Sequence, residues 1–125
     1  MTDLQTELPA TAVAPALARQ ALDGWLSASV GEETAQDVRI MATELVANAV
    51  RHGGLSEADK IILSGTVDDV VRIEVEQPSP VTEAKVMRVA DPVSAGIGLL
   101  IVDTVANRWG SAEGPPGVVW FEVVR

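Results

Sequence analysis

The segment Glu44-Leu45-Val46-Ala47-Asn48-Ala49-Val50-Arg51-His52 constrains this chain more than any other, because it sets a carboxylate and a carboxamide four residues apart inside an otherwise apolar helix. At about 100° per residue, Asp37, Met41, Glu44, Asn48, Arg51 and His52 fall within a narrow arc. Val38, Ala42, Leu45, Val46 and Ala49 line the neighbouring arc, which would face a core. One side of the helix is therefore built for packing and the other for chemistry. A carboxylate can polarise a hydroxyl or a water, and an amide oxygen one turn on is a hard ligand suited to Mg²⁺, which keeps several waters and takes oxygens from a nucleotide. Such a pair at i, i+4 also describes an ordinary solvated helix face, so by itself it does not decide between the two.

A second element follows about forty residues later. Ser94-Ala95-Gly96-Ile97-Gly98-Leu99-Leu100-Ile101-Val102 reads as a glycine-containing turn opening into an apolar helix. The two glycines let a backbone approach a ligand closely, and the free N–H groups and positive dipole end of the helix offer an anion site without a lysine. The six-residue dinucleotide fingerprint and the Gly-Lys-Ser/Thr of a P-loop are both absent.

With 18 acidic and 9 basic residues the net charge is −9. Neutralising a phosphate backbone needs a basic patch, and the few Lys and Arg are scattered, so nucleic acid is not an expected partner. Any anionic nucleotide must then be held by Mg²⁺, backbone N–H groups and a helix dipole rather than by side-chain charge. The chain has 125 residues, 47% of them hydrophobic and 22% charged, which suits one globular domain over 1–125. There is no run near the roughly 18 apolar residues of a membrane span, and Met1-Thr2-Asp3 lacks the basic start of a secretion signal, so the expected compartment is the cytoplasm. Zero cysteines remove disulfides, thiolate metal sites and thiol nucleophiles.

Along the chain, Leu4 to Leu8 reads as a short strand, and Thr11 to Ser27 carries Val13, Leu17, Ala21, Leu22 and Trp25 at helical spacing. Gly31 breaks the chain before Glu32 and Glu33 open the Glu44 helix, which is expected to end near His52-Gly53-Gly54 in a left-handed cap. Lys60 to Val67 and Val70 to Gln77 read as strands joined at Asp68-Asp69, and Val118 to Val124 as a last strand after Gly114-Pro115-Pro116-Gly117. Trp25, Trp109 and Trp120 are assigned to packing among apolar neighbours. The order of elements indicates an α/β two-layer sandwich, helices stacked on one face of a mixed, mostly antiparallel sheet.

Taken in order, these elements resemble the nucleotide-binding domain shared by gyrase, heat-shock protein 90, sensor histidine kinases and mismatch-repair ATPases, the GHKL or Bergerat fold. The similarity is greatest to its small single-domain branch of anti-sigma-factor serine kinases. Glu44 to His52 matches the N box, Gly96 to Leu99 the second glycine box, and Val102 to Gly110 leading to Val118-Val119-Trp120-Phe121-Glu122 the tail. The resemblance extends to the opening Glu7-Leu8-Pro9-Ala10 and so spans nearly the whole chain. It implies ATP and Mg²⁺ as ligands, with Glu44 orienting or deprotonating an attacking hydroxyl and Asn48 holding the metal. The backbone of Gly96, Ile97, Gly98 and Leu99 would hold the phosphates. A lid over 80–95, carrying Lys85 and Arg88, would cover the nucleotide, and sigma factor, an anti-anti-sigma protein and a second copy of the chain would be partners.

The chain departs from that family at the first glycine box. Alternation puts Val71, Ile73, Val75 and Gln77 on one face of the second hairpin strand and Arg72, Glu74 and Glu76 on the other. Where the family has Asp-x-Gly-x-Gly, this chain has Gln77-Pro78-Ser79-Pro80-Val81, so Gln77 stands in for the adenine-binding Asp. Its carbonyl can accept from an adenine amino group, without the charge assistance of a carboxylate. Two readings stay open: a serine/threonine kinase acting on an anti-anti-sigma protein, or a degenerate domain that binds a protein partner independently of nucleotide. A plain ATPase and a histidine-kinase catalytic domain are lesser alternatives.

Overall fold

In the computed structural model, residues 3–81 and 98–125 are described, with the backbone alone at 98–100. The elements are β1 (Leu4–Pro9), α1 (Ala14–Ser27), α2 (Glu32–His52), β2 (Lys60–Val67), β3 (Val70–Gln77), α3 (Gly98–Val105), β4 (Arg108–Ala112) and β5 (Gly117–Val124). The strands form one sheet in the order β1-β2-β3-β5-β4. All four pairings are antiparallel, and the helices pack on one face.

Period-two alternation decides which side is covered. Leu8, Ile61, Leu63, Val71, Ile73, Val75, Phe121 and Val123 point inward and are buried, while Arg72, Glu74, Glu76, Trp120 and Glu122 occupy the opposite face. Against the inward side chains pack Ala18, Leu22 and Leu26 of α1, Val38, Met41, Ala42, Leu45 and Val46 of α2, and Val102 of α3. Gly65 on β2 is required by this packing, since a Cβ there would lie 2.6 Å from the Trp25 ring of α1.

Helix α2 starts at an extended Gly31 and carries Glu32 and Glu33 in its first turn and Arg51 and His52 in its last, the charge order that its dipole favours. It ends on Gly53 in right-handed geometry, and the left-handed residue is the next one, Gly54, at φ +66°. Helix α1 begins at Ala14 rather than Thr11 because Pro15 belongs to its first turn, where a missing N–H costs nothing.

Two expectations are corrected and one strand is added. Met41 is fully buried, not part of the polar stripe, because α2 packs against α1 as well as the sheet and its apolar arc is correspondingly wide. Arg108–Ala112 is an edge strand that its composition, Arg-Trp-Gly-Ser-Ala, does not announce. Trp120 sits on the outer face, with the Arg72 guanidinium 4.2 Å from its ring centroid and Arg108 at 5.7 Å.

Candidate nucleotide site

The site is built along the C-terminal half of α2. Asn48 is only 8% exposed, flanked by the buried Val46 and Ala49. Its Oδ1 accepts a hydrogen bond from Arg51 Nη2 at 2.8 Å, one turn further on. Its Nδ2 is the one buried side-chain nitrogen or oxygen among the described residues with no hydrogen-bond partner. An orphaned buried donor costs about 1–3 kcal/mol, so its retention in an otherwise satisfied core points to a ligand that completes it.

Glu44, one turn before Asn48, is half-buried. It borders a cleft of about 340 Å³ between α1 and α2, with Arg19, Gln36, Arg39, Ile40 and Thr43 as the other walls. Arg39 is engaged there with Glu32 at 2.7 Å and Asp23 at 3.7 Å. The helix thus offers its carboxylate to an open cleft and its carboxamide to a buried position.

Gln77, at the end of β3, is 6% exposed and lies against the end of α2. Its Nε2 donates to Ser79 Oγ at 2.9 Å and to the Pro80 carbonyl at 3.2 Å, and Ser79 Oγ donates to the Gly53 carbonyl at 2.7 Å. The Gln77-to-Val81 stretch is then fastened to β5 and its approach: Gly117 N–H donates to the Ser79 carbonyl at 3.1 Å and Val81 N–H to the Glu113 carbonyl at 2.8 Å. Sequence reasoning placed Gln77 on the inward face correctly. It missed Ser79 and Gly53, for which the only signal was a hydroxyl caught between two prolines and a glycine at a helix end.

Gly96 and Ile97 lie outside the described residues, as do Lys85, Arg88 and all but the first two residues of the expected lid. Gly98 opens α3 and Leu99 follows in it, so the second glycine box does lead into a helix. Among the described residues no cluster of three His, Cys, Asp or Glu side chains could hold a metal. Asn48 Oδ1 fits Mg²⁺ as a single ligand, the remaining positions being left to phosphate oxygens and water, provided Arg51 yields it.

An antiparallel five-stranded sheet with its helices on one face is the α/β sandwich of the GHKL kind. Residues 8–120 match the histidine kinase-like ATPase domain, and the chain belongs to that family. Its structure is similar to that of the RsbU and RsbW domains of Rv1364c from Mycobacterium tuberculosis, with a TM-score of 0.76 at 20% sequence identity. The match covers 99% of this chain and 32% of that one, so this chain spans about a third of the length of that solved chain. No curated protein sequence matches the chain. No helix among the described residues is long and apolar enough to cross a membrane.

Proposed function

We propose that the chain is an ATP-binding regulator of the anti-sigma-factor kinase type, which transfers the γ-phosphoryl group of ATP to a serine of an anti-anti-sigma protein. The observation that carries this reading is Asn48: nine-tenths buried, with an unpartnered amide nitrogen, one turn from Glu44 in a member of an ATPase family. Glu44 orients the acceptor hydroxyl and takes its proton, and the open α1–α2 cleft beside it gives a second protein access to that carboxylate. Asn48 contributes one oxygen to Mg²⁺, which neutralises charge on the phosphates when bound. Gln77 contacts the base. The backbone around Gly96, Ile97 and Gly98 holds the phosphates, and 80–95 forms a lid. A sigma factor is the second partner, with assembly as a homodimer in the cytoplasm.

A second reading has its own support. The Gln77-Pro78-Ser79-Pro80-Val81 stretch closes on itself and on Gly53 by hydrogen bonds, as a scaffold that binds protein without nucleotide would allow. Thermal unfolding with and without Mg²⁺-ATP separates the two, because a ligand at about 100 times its Kd adds roughly 2.7 kcal/mol. The kinase reading requires a Mg²⁺-dependent shift that Asn48→Ala abolishes. It also requires Glu44→Gln to keep that shift while losing transfer to the partner serine. No shift at millimolar ATP favours the scaffold.

A further inference from the structure

Strand β1 ends the sheet, paired only with β2. Its open side is unguarded, since the register runs unbroken over all 6 residues, without a bulge or a Lys, and Pro9 comes only at the end. Ala10 N–H donates to the Asp59 carbonyl at 3.2 Å, which fixes the phase of the ladder. Counting back by twos, Leu8, Thr6 and Leu4 turn their backbone groups to β2, so Gln5 and Glu7 turn theirs to the open side. Pro9 falls in the outward set, where its missing N–H costs the β2 ladder nothing.

Helix α1 lies over this edge. Its buried stripe is Ala14, Ala18, Leu22 and Leu26, and on one side of that stripe Arg19 lines the α2 cleft and Asp23 meets Arg39 of α2. The flank away from α2 is therefore Val13, Leu17, Ala21 and Gly24. Because α1 packs on β1 while α2 packs on β3 and β5, that flank overhangs the open side of β1. It is uncharged in a chain of net charge −9, and Val13 and Leu17 are 55% and 37% exposed there.

We propose that a second copy of the chain docks here, β1 antiparallel to β1, with the two α1 flanks meeting above the joined strands. Charge selects the register. A two-fold centred on Gln5 sets Glu7 against Asp3 of the second copy, and one centred on Glu7 sets Glu7 against itself, and like charges directly opposite are destabilising. Centred on Thr6, Gln5 meets Glu7 of the second copy, so the outward residues exchange their backbone N–H and C=O groups while an amide faces a carboxylate on the outer side. On the inner side Leu4 meets Leu8 and Thr6 meets Thr6. Directly opposite residues share a face, so the helices of both copies stand on the same side of one continuous sheet. The inference rests on the homodimer of the reading above, not on its nucleotide chemistry.

The test is sedimentation velocity of the whole chain, where wild type is expected at twice 13.1 kDa at micromolar concentration. Gln5→Glu, which brings like charges together at both symmetry-related pairs, should weaken the dimer by about tenfold. The double variant Gln5→Glu with Glu7→Gln restores an amide opposite a carboxylate and should recover wild-type association. Both positions are exposed, so neither change threatens the fold. Thr6→Cys, made in a chain with no cysteine, should give a disulfide-linked dimer under oxidised glutathione, because Cα atoms of a pair without ladder bonds stand about 4.5 Å apart. A dimer that Gln5→Glu leaves unmoved, or that Thr6→Cys does not cross-link, overturns this interface alone. A monomeric wild type sinks the homodimer of the reading above and this inference with it, while the thermal shift with Mg²⁺-ATP still judges the nucleotide site.

Discussion

Arg51 Nη2 donates to Asn48 Oδ1 at 2.8 Å, so a guanidinium occupies the oxygen that Asn48 offers a divalent cation in the function proposed above. The two occupants compete. Arg51→Ala is expected to lower the Mg²⁺ concentration needed for half-maximal ATP binding by about threefold to tenfold, the worth of one part-buried hydrogen bond of about 1 kcal/mol. Titrating Mg²⁺ at fixed ATP measures it, and an unchanged midpoint would show that the contact is not displaced on binding.

Asn48 carries a stability cost as well. Asn48→Leu keeps the side-chain shape and removes the orphaned Nδ2, so the free protein should gain about 1 kcal/mol, or roughly 3 °C in Tm, while losing its Mg²⁺-ATP response. Differential scanning calorimetry of the ligand-free variant reads the first effect. A loss of stability there would mean that the amide is satisfied in solution.

Gly117 lies under the stretch that holds Gln77, and a Cβ there would come within 2.6 Å of the Val81 nitrogen and 2.7 Å of the Ser79 carbonyl. Those are backbone atoms and cannot swing aside. Gly117→Ala is therefore expected to cost about 2–3 kcal/mol in chemical denaturation and to weaken ATP binding, by pushing 79–81 off β5.

On the outer sheet face Arg72 is bound to Glu74 at 2.8 Å and Glu122 at 2.9 Å while covering the Trp120 ring. Burial opposes its charge, but the hydrogen bonds it donates to the Glu74 and Glu122 carboxylates, with their negative charge, outweigh burial and hold the guanidinium above its ordinary value. Both ionic partners and the stack depend on a planar fork, so Arg72→Lys should destabilise by about 1 kcal/mol despite conserving charge. Urea denaturation of the variant tests this, and wild-type stability would mean that the cluster is ornamental.

The hairpin of β2 and β3 was legible to the residue, because Val71, Ile73 and Val75 alternate with Arg72, Glu74 and Glu76 and the Asp68-Asp69 pair marks its turn. Strand β4 was not, since an edge strand pairs on one side only and needs no apolar alternation; Trp109 is its one large apolar residue. Met41 was placed on the wrong side because a helical wheel knows only one packing partner, whereas α2 has α1 and the sheet. Spacing, register and the family resemblance singled out Glu44, Asn48 and Gln77, of which the structure half-buries the first and buries the other two. The hydroxyl of Ser79 and the acceptor oxygen of Gly53 come from separate segments, 26 residues apart, and no local pattern links them.

Gly53, to which Ser79 ties the Gln77 stretch, and Asn48 are joined by nothing but helix, five residues at about 1.5 Å each. That span of about 7.5 Å is a ruler. It cannot stretch, so in the function proposed above, with Gln77 at the base and Asn48 at the metal, the chain would measure its ligand by length, rejecting any molecule whose base and metal-bound phosphate stand too near or too far apart to reach both marks at once.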